Sequence, residues 1–485
     1  MKAVLLIDFG STYTKLTAVD VESETLLGTA SSYTTVQTDI NDGLKAGLAK
    51  LEQKTGKITY DQCFACSSAA GGLRMVTSGL VPELTGEAAR LASLGAGAKV
   101  VGVYAFQLTE DDLEDIQNSK PDIFLLVGGT DGGNTECILH NAKMLANIHP
   151  EFPIVVAGNR TAARQCQRIL EGCDVYVCPN VMPKFGVLKI EETQKQIREI
   201  FLNRIIQAKG LSKATRLLSD IMMPTPSAVL QAMELLANGC DGEPGIGELV
   251  AVDVGGATTD VYSVADGMPE HMNTVYKGLP EPYAKRTVEG DIGMRYSIQG
   301  IVDAAGIHRI CQLSGLSRKR VQQLVADLKE HTDKVPNGDE ELEALDFALA
   351  SMAIEEAVAR HAGTIEETYT MMGQTFVQEG KNLTKVRQIV VTGGSLIHTK
   401  RTEQIAAHAL YSPADPASLR PKQADVWVDR TYILAAMGLL SSHYPQTALR
   451  IMKKELEYHG HSEQKNPGRG VSEAAAGSAE PVAHG

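Results

Sequence analysis

Apolar and polar positions follow two different rhythms along this chain. Near the start, KAVLLIDFG is an unbroken apolar run that stops at glycine, the pattern of a strand buried on both faces. YTKLTAVDV and ETLLGTASS predict two more strands, joined through a turn-like ESE. INDGLKAGLAKLEQ has helical spacing, and QCFACSSAAGG predicts another buried strand ending in glycines. From 74 to about 180 the rhythm changes to helix and strand in turn: GEAARLASLGAG, KVVGVYAFQL, TEDDLEDIQNS, DIFLLVGGT, TECILHNAKMLANI, PIVVAGN, TAARQCQRILEG and DVYVCP. That alternation predicts a parallel α/β sheet inserted into the first half.

KIEETQKQIREIFLNRIIQ predicts an amphipathic helix, and PTPSAVLQAMELLANG a second one, with Ser227 as candidate cap and Gly239 as stop. A loop over 240–247 separates these from a new strand set that starts at Glu248. Residues 312–380 read as mostly helical with charged faces. VRQIVVTGGS is again a buried strand ending in glycines, and a last helix covers about 430–442. The predicted organisation is a first half over 1–247 with the insertion at about 74–180, a second half over 248–459, and a disordered small-residue tail over 460–485.

Composition narrows the function classes. A net charge of −13 argues against a general nucleic-acid binder. No apolar run approaches the length of a membrane span, and the chain enters a strand pattern at once, with no signal-peptide layout. Eight cysteines in 485 residues do not make a disulfide framework, so a cytoplasmic setting is expected. Cys63 and Cys66 form a lone CxxC in an apolar setting and read as buried thiols; no second pair stands at metal spacing. His459 and His461 near the tail are a weak metal candidate.

The chemistry sits in a repeated layout. VLLIDFGSTYTKLTAVD and LVAVDVGGATTDVYSV each close an apolar strand with an acid, turn on small residues and leave on a second strand. Aligned on the acids, Asp8-Phe9-Gly10-Ser11-Thr12 matches Asp253-Val254-Gly255-Gly256-Ala257. Glycine lets backbone N–H groups approach an oxyanion, and the Ser11, Thr12 and Thr258 hydroxyls add donors. A carboxylate beside phosphate implies a divalent cation between them. Mg²⁺ keeps several waters, which suits Asp8 and Asp253 acting through water. Two such hairpins facing each other would grip one triphosphate. A third stretch, VVTGGS, offers Gly393, Gly394 and Ser395 as a seat for a flat ring such as adenosine. Each turn also reads as a plain tight hairpin. Lys15 lies on the strand leaving the first turn, where it is either a phosphate contact or an exposed lysine; Asp260 has the same offset from Asp253. There is no G-x-x-x-x-G-K-[ST] loop.

In this order, the loops resemble those of the actin, heat-shock chaperone and sugar-kinase ATPase superfamily. The resemblance implies a duplicated α/β fold of ribonuclease-H-like halves around a nucleotide cleft, with ATP and Mg²⁺ as cofactors. It implies that Asp8 and Asp253 hold Mg²⁺ through water. Gly10, Ser11, Thr12, Lys15, Gly255, Gly256 and Thr258 would then hold phosphates. Asp260 would stand by the metal or attacking water, and Gly393 and Gly394 would contact adenosine. Within that superfamily, IDFGSTYTK, ACSSAAGGLRM, LLVGGTDGGN and RTVEGDIGMRYS resemble the glutamate mutase accessory family of MutL type, which is unrelated to the mismatch-repair protein of that name. This second resemblance spans about 1–455 and implies a partner, an adenosylcobalamin-dependent mutase or aminomutase. The implied role is ATP-driven release of damaged cobalamin. A small-molecule kinase, a dehydratase-activator ATPase and a filament-forming actin relative are the alternatives.

Two of these stretches allow physical readings of their own. GGTDGGN follows a strand and precedes a helix; Gly128, Gly129, Gly132 and Gly133 could bind an anion oriented by Asp131, or simply form a tight turn. RTVEGDIGMRYS sets Arg286, Glu289, Asp291 and Arg295 close together, as cleft lining, partner contact or salt-bridged loop.

Overall fold

A computed structural model describes residues 1–10, 13–34, 40–68, 73–208, 220–270, 272–371 and 373–463. Strands are numbered along the chain. The first sheet joins β1 (Ala3–Phe9), β2 (Tyr13–Asp20), β3 (Thr25–Tyr33), β4 (Gln62–Ser67) and β10 (Asp220–Pro224) in the order β10-β4-β1-β2-β3. β1 pairs antiparallel with β2, and β2 with β3, while β4 and β10 add in parallel. After a two-residue ladder, β11 (Gly239–Cys240) with β12 (Glu243–Pro244), the same wiring recurs. β13 (Leu249–Val254), β14 (Thr259–Val264) and β16 (Ala284–Glu289) are antiparallel; β19 (Gln388–Thr392) and β20 (Gln423–Val428) add in parallel. An extra strand, β21 (Glu457–Glu463), closes that edge. Two sheets with one connectivity make the chain a duplicated actin-type α/β fold of ribonuclease-H-like halves.

Between β4 and β10 runs a third sheet, all parallel: β5 (Leu73–Gly79), β6 (Ala98–Ala105), β7 (Ile123–Leu126), β8 (Ile154–Val156) and β9 (Val175–Val177), in the order β6-β5-β7-β8-β9. Short apolar runs such as IFLL and IVV, buried at every position, suit strands covered by helices on both faces.

Strand periodicity decides where the two acids point. Along β1, Leu5, Ile7 and Phe9 enter one core cluster, while Val4 and Leu6 enter another. Along β13, Val250, Val252 and Val254 enter a third, while Leu249 and Ala251 join Val4 and Leu6. Asp8 shares parity with Val4 and Leu6, and Asp253 with Leu249 and Ala251, so both acids lie on the faces that the halves turn toward each other. The helices of that shared core cross over. Thr225–Asn238, which follows β10, packs on β13, β14 and β16; Leu434–Ser441, which follows β20, packs on β1 and β4; and the two helices pack on each other.

Four expectations are corrected. Residues 364–379 are not helical: β17 (Thr364–Thr370) and β18 (Gly373–Glu379) pair, and β15 (Thr274–Lys277) joins them. This small sheet is largely exposed and lacks a clean apolar face, so its two-residue period is faint. Ser227 is not a cap. Its helix starts at Thr225 after Pro224, with a proline in the first turn, and Ser227 is buried inside it. The helix expected over about 430–442 is present as Leu434–Ser441 but is not the last, because Pro445 opens another, Pro445–Glu455. The tail reading fails at its beginning, because β21 reaches Glu463; the remainder lies outside the described residues. Among the described residues no helix is long and apolar enough to cross a membrane.

Candidate functional site

The first hairpin places Asp8 directly opposite Lys15 in the β1–β2 ladder. Its turn is tight: Gly10 N–H donates to the carbonyls of Asp8 and Tyr13 at 3.0 and 3.1 Å. A Cβ at position 10 would fall 2.4 Å from the Tyr13 carbonyl oxygen, so only glycine fits. Ser11 and Thr12 lie outside the described residues. The buried Asp8 carboxylate accepts from the Thr225 hydroxyl at 2.6 Å and the Cys66 thiol at 3.5 Å.

The second hairpin repeats the register, with Asp253 opposite Asp260. Gly255 N–H closes the turn on the Thr258 carbonyl at 2.9 Å. The segment RTVEGDIGMRYS cradles it. Met294 N–H donates to the Gly255 carbonyl, and Arg295 and Tyr296 N–H groups donate to that of Gly256, all within 3.0 Å. Asp260 Oδ1 is gripped by Arg286 Nη2 at 2.6 Å and Nε at 2.8 Å, while Oδ2 has Thr258 Oγ1 at 3.5 Å. The other charges of that segment are paired too: Arg295 binds Asp346 through two bonds, and Arg360 binds Glu289 and Asp291.

The glycine pair at the end of β19 packs onto this hairpin. Asp253 and Thr392 are register partners. Gly393 has φ 109°, and a Cβ there would meet the Val254 carbonyl oxygen at 2.3 Å. Gly394 and Ser395 open a short helix, Gly394–Ile397.

Three further groups, not anticipated from the sequence, complete the cleft. Asp429, just past β20, accepts from the Ile433 and Leu434 N–H groups at 3.0 and 3.2 Å. Tyr432 sits at φ 55°, a left-handed conformation that costs a bulky residue strain. Its ring lies 4.1 Å below Lys15 Nζ, joining the first hairpin to the second half. Thr225 does the converse, bonding Asp8 from the start of the crossing helix. Short polar motifs such as VDRTY and PTPS are weak signals, which is why these groups escaped.

Electrostatics bind the hairpins into one site. Burial pushes Asp253 up to about 6; Lys15 pulls it down, and Asp260, Asp429 and Asp8 push it further up. Burial also raises Asp429, against its backbone donors and Lys15. Carboxylates from both halves thus share one low-dielectric field with a single lysine from the first hairpin. Excess buried negative charge is the environment that a divalent cation relieves. Among the described residues no three His, Cys, Asp or Glu groups converge as direct metal ligands.

The other candidates fall elsewhere. Arg286 is buried and committed: besides Asp260 it donates to the carbonyls of Leu94 and Ala98 at 3.3 and 3.0 Å. Gly128, Gly129 and Asp131 stand on a loop whose groups bond inward. Asn159 bonds Gly132 N–H and the carbonyls of Gly133 and Asn134; Asn180 bonds the Gly129 carbonyl and Asp131. That geometry matches the tight-turn reading, and Asp131 pairs with Arg160 at 3.8 Å rather than with Arg286 or Asp291. Burial raises both CxxC thiols, Cys63 to about 12. His461 contacts Asp425, and His459 contacts Glu457.

Comparison with known proteins adds a family. The model of the family described as MutL protein matches residues 4–456. A curated relative, Protein MutL of Clostridium tetanomorphum, is 48% identical over 460 residues, covering 94% of this chain and 99% of its own. Among solved structures, a ligand-bound xylulose kinase from Lactobacillus acidophilus aligns with a TM-score of 0.39 at 12% identity, covering 96% of this chain and 94% of its own. Component A of the Acidaminococcus fermentans (R)-2-hydroxyglutaryl-CoA dehydratase aligns with a TM-score of 0.30 at 9% identity, covering 94% and 99%.

Proposed function

The chain belongs to the MutL protein family, and from that premise we propose that it is an ATP-driven accessory protein of an adenosylcobalamin-dependent mutase or aminomutase, releasing damaged cobalamin from it. The observation that supports this reading is the shared field of the two hairpins: Asp8 and Lys15 from one act on Asp253 of the other. On this reading the β- and γ-phosphates lie between the hairpins. The Gly256 N–H and the hydroxyls of Ser11, Thr12 and Thr258 hold their oxygens, with Lys15 adding charge; the N–H groups of Gly10 and Gly255 close their own turns, so these two glycines serve by keeping the turns tight. Gly393, Gly394 and Ser395 seat the adenosine. Asp8 and Asp253 hold Mg²⁺ through its waters, and when bound the ion neutralises charge at the phosphates. Asp260 keeps Oδ1 on Arg286 and turns Oδ2 to the attacking water. Positioning and electrostatics supply most of the catalysis in such sites.

We take the division of the chain as 1–247, with the insertion at about 74–180, and 248–459. Loss of the γ-phosphate removes a bridge between these halves. The angle between them then changes, and that motion does work on the bound mutase. The test mixes the chain with ATP, Mg²⁺ and candidate mutases carrying cobalamin without its adenosyl group, and follows free cobalamin. Release that depends on ATP and disappears in Asp8→Ala and Asp253→Ala is expected. Undiminished release by both variants defeats the assignment, and a phosphorylated small molecule among the products points to a kinase instead.

A further inference from the structure

A cavity of about 430 Å³ lies away from the hairpin turns, between the inserted sheet and the second half. One wall is β6 and the helix Glu87–Gly95; the other is β16 and the turn after it. Both β6 and β16 are edge strands of their sheets, so the joint is lined by backbone that neither sheet covers. Four cations line it, Arg90, Lys99, Lys285 and Arg360, against a single lining carboxylate, Glu289.

Their commitments differ. Arg90 is held by Glu87, Lys285 by Glu281 and the His361 carbonyl, and Arg360 by Glu289 and Asp291. Glu87, Glu281 and Asp291 are not among the lining residues, and the ammonium of Lys285 is itself buried against its partners. Lys99 is the exception: its backbone pairs in the β5–β6 ladder, but among the described residues its ammonium has no hydrogen-bond or ion-pair partner. Its Nζ lies beside Gly290, where a Cβ would come within 2.6 Å of it. Leu94 and the valines of β6 supply an apolar side.

We propose that this joint is a binding site for a small organic oxyanion, a carboxylate or phosphate ester with an apolar portion, with Lys99 as its principal counter-ion. The size is within the range of small-molecule sites, and the lining is more polar than apolar, which suits a charged ligand. Such a ligand would tie the inserted sheet to β16, whose Arg286 already reaches the Leu94 and Ala98 carbonyls. The inference does not depend on the nucleotide reading.

The test is calorimetric titration of the full chain, in saturating ADP and Mg²⁺ to fill any nucleotide cleft, with phenylacetate and with phenyl phosphate as probes. The two probes separate the carboxylate and phosphate sources of the same chemistry. At least one should bind, and Lys99→Gln should weaken it about tenfold or more, the worth of one charge-assisted bond. Lys99→Arg should restore most of the binding. Lys319→Gln, which removes an exposed charge outside the cavity lining, should leave it unchanged. Absence of binding by both probes, equal binding to Lys99→Gln, or loss in Lys319→Gln overturns the proposal.

Discussion

The two hairpins share a register but not an electrostatic role. In the first, the acid faces a lysine across the ladder, and its other neighbours are a hydroxyl and a thiol. In the second, the acid faces another acid, and that partner is neutralised by Arg286. The first hairpin therefore brings its own cation into the cleft. The second concentrates negative charge there and exports the balancing link, because Arg286 reaches on to the Leu94 and Ala98 carbonyls. Duplication supplied two similar cradles. What distinguishes them is how they meet the inserted subdomain: the first shares an apolar core with it, and the second reaches it through the hydrogen bonds of Arg286.

The largest effect should come from cutting that link. Arg286→Gln leaves Asp260 with a poor partner and two carbonyls short of a donor. Losing one member of a buried pair costs about 3–5 kcal/mol. Urea unfolding should show a midpoint shift of that order, and Lys15→Met, an equivalent change on the other hairpin, should shift it far less. Equal shifts would mean that the asymmetry is not energetic.

Next comes the raised acid. Asp253 titrates at about 6 in the fold against 3.8 as its ordinary value. Below pH 3.8 it is protonated in both folded and unfolded chains and contributes no difference. Between 3.8 and 6 the folded protein retains a proton that the unfolded chain loses. Above 6 the fold carries a buried charge, at a cost of about 3 kcal/mol, taking about 1.4 kcal/mol per pKa unit. Asp253→Asn should therefore stabilise the ligand-free protein at pH 8 by up to about that amount, and change little near pH 4. A gain that is the same at both pH values would remove the charge from the explanation. With Mg²⁺ and nucleotide the sign reverses, since binding favours the ionised acid; affinity should decline as pH falls through about 6.

Much of this was legible in the residues. The runs VLLIDFG and LVAVDVGG fix two buried strands, and strict alternation puts both acids on the faces bearing Val4, Leu6, Leu249 and Ala251. The glycines of VVTGGS mark a close approach that proves to be the Val254 carbonyl. The groups that escaped arrive by tertiary crossing. Thr225 and Tyr432 stand at or just before the starts of helices that pack across to the opposite sheet, and no local period encodes a crossing. Arg286 was visible as a charge. Its partners were not, because Asp260 is on another strand and the carbonyls belong to the helix Glu87–Gly95 and to β6.

A smaller effect is expected at the first hairpin's own cation. Lys15→Met removes the attraction that holds Asp253 down, so the pH profile of stability should move to higher pH. Phosphate affinity should fall about tenfold, the worth of one charge-assisted contact. An unchanged profile would place Lys15 outside the field of Asp253.

The smallest effect tests the contact between the halves itself. Lys15 over the Tyr432 ring is a cation–π pair at 4.1 Å, and such pairs are worth about 0.5–2 kcal/mol according to how far they are desolvated. Tyr432 pays for its place with a left-handed backbone, so the ring must return something by being there. Tyr432→Leu keeps the backbone cost and removes the ring face. In a double-mutant cycle with Lys15→Met, the coupling should come out near 1 kcal/mol in the ligand-free protein. It should shrink once nucleotide and Mg²⁺ are added, because a lysine drawn to phosphate can no longer sit over the ring. Coupling that persists undiminished with nucleotide bound would keep Lys15 on Tyr432 throughout, and leave the first hairpin without its phosphate contact.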